Sequence, residues 1–163
     1  MKPMSVVVRS VFCVFGWFVL VFGAYVIVHG HLTPGGGFQG GAVFATFFAA
    51  LMASLGEGAF GESVSSRFLS TVESLGLLLF WLLGLLGMGR TFFHNFLAGS
   101  GSILFGGSVP VGPNEGALAT GGTVALMNLS VGMEVVAGLT LITVYMALAR
   151  LVVPDGGERG HDR

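Results

Sequence analysis

Charge is what this chain has least of. Only 9% of its 163 residues are charged, seven basic and eight acidic, against roughly 25% in an ordinary soluble domain. Hydrophobic residues make up 53%, so a water-facing surface would expose apolar patches larger than a soluble monomer tolerates. The expected solvent is lipid. A net charge of −1 leaves no basic excess to bind phosphates, and no nucleic-acid partner is expected. Cysteine is nearly absent: Cys13 stands alone inside an apolar run, can form no internal disulfide and offers no metal cage. It reads as a small apolar packing residue. No haem, iron–sulfur, nucleotide or metal signature is present, so no cofactor and no enzymatic chemistry are expected.

What the chain does have is four apolar runs, each near the roughly 20 residues that a helix needs to cross a bilayer. They cover about 8–30, 35–56, 69–95 and 121–150, which predicts an all-α polytopic membrane protein built as a four-helix bundle. The first run is too long for a signal peptide, and three more follow it. Four spans put both termini on one side. Lys2, Arg9, Arg150, Arg159 and Arg163 flank those ends, and Arg67 shares their side. Positive charge marks the cytoplasmic face, so both termini are expected inside, with 154–163 as a polar tail. Spans one and three both end near histidine and lead into glycine-rich turns, but with 28 glycines in the chain chance explains that echo nearly as well as duplication.

The stretch HGHLTPGGGFQGG, His29 to Gly41, admits several readings. Gly35 to Gly40 matches G-x-G-x-x-G, yet a helix-length run precedes it where a dinucleotide fold needs a strand. His29 and His31 are too few to hold zinc and read as polar residues ending a helix at the membrane boundary. Thr33 is predicted to cap the second helix, with Pro34 at its first position. Gly36 with Gly40, and Gly37 with Gly41, then form two G-x-x-x-G pairs. In lipid that spacing lets another backbone approach closely, here expected from a helix of another subunit, with Gln39 placed to hydrogen-bond to that neighbour.

These residues carry a resemblance. GHLTPGGGFQGG is similar to the hallmark of MnhB-type proteins, the B subunit of the Mrp multisubunit cation/proton antiporters, with kindred copies in membrane-bound hydrogenases and respiratory complexes. Residues 128–139, NLSVGMEVVAGL, resemble that family's N-x-x-V-G-x-E/K-V-x-A-G-L pattern. The resemblance spans about 29–141, with weak similarity between the two motifs, and implies a small four-helix subunit of a hetero-oligomer in a prokaryotic cytoplasmic membrane. Sister membrane subunits are the implied partners, and Na⁺ and H⁺ the transported ions. Any redox centres of a hydrogenase-like host would lie in other subunits.

Glu134 is the leading site candidate. An acid near the middle of a span costs about 2.5–3.5 kcal/mol on insertion scales and persists only where a partner or cavity relieves it. Ser130, Ala137 and Gly138 share its face, and Gly132 and Gly138 are expected to serve helix packing. Two readings stay open: Glu134 takes part in ion movement, or it locks a helix to a neighbouring subunit. Glu73, Gly76, Phe80, Gly84, Gly87 and Thr91 form a stripe on the third span with His94 at its edge, a predicted packing seam. Glu73 reads as a solvated carboxylate near the cytoplasmic end or as a further ion-path group. Arg90 and His94 snorkel to headgroups or line an outer exit, and Asn128 is expected to hydrogen-bond across helices. A four-span chain encloses little volume, so partners are expected to complete the path. The rival readings are a purely structural brace and a self-assembling channel.

Overall fold

The computed structural model describes residues 4–56, 65–103, 105–108, 110–111 and 117–152, with side chains to 149; the expected polar tail lies outside the described residues. Four helices account for most of them: α1 (Val6–Val28), α2 (Gly36–Leu55), α3 (Ser66–Leu86) and α4 (Thr123–Val152). Each is long and apolar enough to cross a bilayer, and no strand occurs among the described residues. Ser5 opens α1 by accepting a hydrogen bond from the Val8 N–H on its Oγ at 3.5 Å, the usual way of satisfying a free amide at a helix start.

Glycine positions reveal how the helices meet. Gly16 lies beside Phe47, Gly23 beside Phe44 and Gly40 beside Ile27, so α1 and α2 run antiparallel. Gly37 abuts Asn128 and Gly41 abuts Val135, which makes α2 parallel to α4. Gly76 faces Ser130 and Glu134 while Glu73 faces Gly138, so α3 is antiparallel to α4. The spatial order is α1, α2, α4, α3, with α1 touching α4 through Ile27 and Gly132. The chain therefore starts α1 and finishes α4 at one end of the bundle, the termini end, where the Met4 N–H donates to Ser54 O at 3.2 Å. The opposite end carries the 29–35 turn and is called the turn end below.

Little is buried by side-chain bulk. A small cluster of Met52, Leu69, Ala137 and Val144 joins α2, α3 and α4 near the termini end, whereas Val14, Phe15, Trp17, Phe18, Trp81 and Met146 point outward. That distribution suits hydrocarbon surroundings, where close backbone packing rather than apolar burial holds helices together. A Cβ on Gly23 would sit 2.8 Å from the Phe44 nitrogen, closer than real carbon atoms approach. Cys13 is exposed, not packed inside.

Three expectations are corrected. Thr33 does not cap α2: its hydroxyl donates back to His29 O at 3.2 Å, closing the end of α1. The N-cap of α2 is Gly35, without a side-chain bond, and Pro34 lies outside the helix. Gly36 then opens α2 at φ +64°, a left-handed conformation that glycine adopts without strain. The third helix stops at Leu86 and passes through a single 3₁₀ turn, Gly87–Gly89, short of the expected 95. The chain doubles back there, with the Phe93 N–H donating to Gly84 O at 3.3 Å, so Thr91 and His94 leave the predicted stripe. Finally, the glycine pairs expected to receive a foreign helix are filled by this chain's own α1 and α4.

Candidate functional site

The α3–α4 seam holds both intramembrane carboxylates. A Cβ on Gly76 of α3 would lie 2.8 Å from Ser130 O, 2.9 Å from the Glu134 nitrogen and 3.0 Å from Glu134 Cβ. One turn away along α3, Glu73 reaches across so that its Oε1 is 3.1 Å from where a Cβ on Gly138 would stand. The arrangement is reciprocal: each acid rests on a glycine of the other helix, and the two lie about one helical turn apart on one seam. Both are half-buried. Among the described residues neither has a hydrogen-bond or ion-pair partner. Ser130 stands next to them, 4% exposed, but its hydroxyl donates to Leu126 O at 2.9 Å within α4.

A second assembly forms at the turn end, around the first turn of α4. Asn95 was not singled out by sequence reasoning, because it lies between elements with no periodicity to mark it. Its Oδ1 accepts hydrogen bonds from the Thr123 N–H at 2.8 Å and the Thr123 hydroxyl at 2.9 Å, and its Nδ2 donates to Gly121 O at 3.3 Å. His31 packs on the same place: a Cβ on Gly121 would lie 2.6 Å from its Cδ2. Both ring nitrogens of His31 are buried without a hydrogen-bond partner. His29, by contrast, is turned back on α1, with Nδ1 3.0 Å from Tyr25 O and its ring stacked on Tyr25 at 4.0 Å.

The remaining candidates are placed as follows. Asn128 makes no side-chain hydrogen bond among the described residues. Its amide instead lies over the turn, with Nδ2 3.1 Å from where a Cβ on Gly30 would be and Oδ1 3.5 Å from that of Gly36. Gln39 is exposed and leans over its own N-cap, Gly35. The backbone of His94 packs on Gly87, its nitrogen 2.6 Å from where a Cβ would stand. Arg90 is exposed directly after the 3₁₀ turn. Among the described residues no three of His, Cys, Asp and Glu gather as a metal site.

Comparison with known proteins bears on what this bundle is. Residues 7–141 match the family model for the domain related to the MnhB subunit of Na⁺/H⁺ antiporter. An uncharacterized protein of Methanocaldococcus jannaschii is 32% identical over 141 residues, 83% of this chain and 49% of its own length. Putative antiporter subunits mnhB2 of Staphylococcus haemolyticus and Staphylococcus aureus are 46% identical over 48 residues, 29% of this chain and 34% of theirs. The chain thus spans about half the length of the archaeal relative it matches. With the family match running from the start of α1 through α2 and α3 and into α4 as far as Leu141, this chain belongs to the family of the MnhB subunit of Na⁺/H⁺ antiporters.

Proposed function

We propose that the chain works as a membrane-embedded subunit of a multisubunit Na⁺/H⁺ antiporter in a prokaryotic cytoplasmic membrane, both termini inside. Its α3–α4 seam supplies Glu134 and Glu73 to the ion path. Sister membrane subunits cover the seam and complete that path. The observation that carries this reading is the pair of partnerless carboxylates, each resting on a glycine of the opposite helix. An acid in a span costs about 2.5–3.5 kcal/mol, and an internal lock would show a cation or donor beside it. With none among the described residues, the counter-group is the transported ion or a group on a neighbouring subunit.

The brace reading keeps a single point in its favour: Glu134 remains half-buried, so a sister subunit's cation has room to meet it. Na⁺-driven proton flux in everted vesicles separates the two, with assembly of the complex verified by pull-down. Glu134→Gln is expected to lower flux by about tenfold or more, equivalent to about 1.4 kcal/mol. Full flux from both Glu134→Gln and Glu73→Gln in an intact complex would leave only the brace.

A further inference from the structure

His31 is the ionisable group that the turn end encloses. Its ring fastens the 29–35 turn to the start of α4 by packing on Gly121, yet both ring nitrogens are buried without a partner. The acceptors of that assembly are already taken. Gly121 O accepts from Asn95 Nδ2 at 3.3 Å and from the Val124 N–H at 3.2 Å. Asn95 Oδ1 accepts from the Thr123 N–H and hydroxyl and from the Ala98 N–H at 3.3 Å.

The other ionisable groups at this end give no help. His29 keeps to α1, with Nδ1 on Tyr25 O and its ring on the Tyr25 phenol. On the segment after α3, Arg90 is exposed and His94 packs its backbone on Gly87. The first turns of α2 and α4 carry no charged side chain, and the described carboxylates, Glu73 and Glu134, lie within the spans.

A neutral imidazole can fill this place as any aromatic ring would. A protonated one brings a charge and two donors to a spot with no free acceptor among the described residues, which burial penalises heavily. The start of α4 adds to that penalty, because a helix N-terminus carries partial positive charge and Gly121 stands two residues before Thr123. The seated ring is therefore the neutral ring.

We propose that His31 is an acid-sensitive latch, whose protonation releases the α1–α2 turn from the first turn of α4. The sign follows from the burial. Seating is complete above the ordinary imidazole range, about pH 6.5, and is lost as pH falls below it. Release frees the outermost tie between α1 and α4, which otherwise meet through Ile27 and Gly132. In the membrane orientation proposed above the latch faces outward and senses the outer pH. Its existence needs neither that orientation nor ion transport by the carboxylates.

The test is thiol labelling of the intact complex at two pH values. Ala125 is 7% exposed and shares the seat, its Cβ 3.1 Å from where a Cβ on Gly121 would stand. In a Cys13→Ser background, labelling of Ala125→Cys by a methanethiosulfonate is divided by that of Ile103→Cys, at a position 98% exposed, which cancels the pH dependence of the thiol itself. If the imidazole takes its proton only when unseated, the ratio should rise about tenfold between about pH 7.5 and about pH 5.5. His31→Phe keeps a ring that cannot be protonated, and its ratio should stay flat. A flat ratio with His31 present, or an equal rise in His31→Phe, overturns the latch. Should Ala125→Cys fail to assemble, melting of the complex decides: acidification should lower the Tm of wild type more than that of His31→Phe, and equal slopes overturn the proposal.

Discussion

Asn95 caps α4 from 28 residues away, accepting both the N–H and the hydroxyl of Thr123 on a single amide oxygen. A helix usually finds its N-cap in the residue just before it. Here Gly122 occupies that place at φ +56°, with no side chain to offer, and a Cβ there would overlap the Asn95 oxygen. The segment after α3 is thereby tied to the start of α4. Asn95→Ala leaves a hydroxyl and an amide that are 1% exposed without an acceptor, which should cost about 1–3 kcal/mol. Asn95→Asp keeps the acceptor and loses only the bond to Gly121 O. Thermal unfolding of the detergent-solubilised subunit should rank wild type, Asp and Ala in that order. An alanine variant as stable as wild type would remove the cap.

The glycines of the seams are not equivalent, and the atoms they meet say why. A Cβ at Gly37 would overlap the Asn128 carbonyl and approach the Gly132 nitrogen at 2.9 Å; at Gly76 it would meet Ser130 O at 2.8 Å. Backbone cannot step aside, so Gly37→Ala and Gly76→Ala should each destabilise the fold by about 1–3 kcal/mol through overpacking. At Gly138 the nearest atoms belong to the Glu73 carboxylate, at 3.1 Å and beyond, and a flexible side-chain end can move. Gly138→Ala should fold with nearly wild-type stability. Urea or heat titration of the three variants checks the ranking, and equal losses would contradict it.

Much of this was legible in the sequence, for a definite reason. Four long apolar runs leave no architecture but membrane helices, because only helices and closed barrels satisfy their backbone in lipid. The bounds of α1, α2 and α4 follow the expected runs within a few residues. Hydropathy overruns the end of the third helix because apolar residues continue through Phe92 and Phe93; the return of the chain rests on Phe93 at φ +65° and on the close fit of Gly84 and Gly87, and hydropathy encodes neither. The glycine pairs do mark contact faces, but the helices lying on them are this chain's own and not another protein's. G-x-x-x-G spacing specifies that a backbone comes close, not whose. Asn95 is not legible in the sequence because a long-range cap leaves no local pattern, and the meeting of Glu73 and Glu134 on one seam depends on α3 lying beside α4.

His31 poses a problem of satisfaction. Both nitrogens of its ring are buried and unbonded, which costs about 1–3 kcal/mol for each unsatisfied polar group, while the ring carbons fill the space against Gly121. Packing and polarity therefore pull in opposite directions. His31→Phe keeps an aromatic ring against Gly121 and removes the polar atoms, so it should match or exceed wild-type stability. His31→Ala opens a cavity and should lose about 2 kcal/mol or more. Melting curves of the three proteins decide. Phenylalanine proving as harmful as alanine would mean that a sister subunit or a bound water completes the imidazole in the assembled complex.

Glu73 and Glu134 can be tested for joint action by a double-mutant cycle on transport. They occupy one seam about a helical turn apart, close enough for a cation or proton leaving one to meet the other. Residues acting in series on a single path are strongly non-additive, since the first block already stops the flow. Glu73→Gln with Glu134→Gln should then lower Na⁺-driven proton flux no further than the more severe single variant. If each acid instead locks a different helix contact, the two losses should multiply, and thermal stability should fall with them. Flux that is non-additive while stability stays near wild type is the expected outcome, because neither carboxylate makes a hydrogen bond within this chain's described residues and glutamine fits the same space.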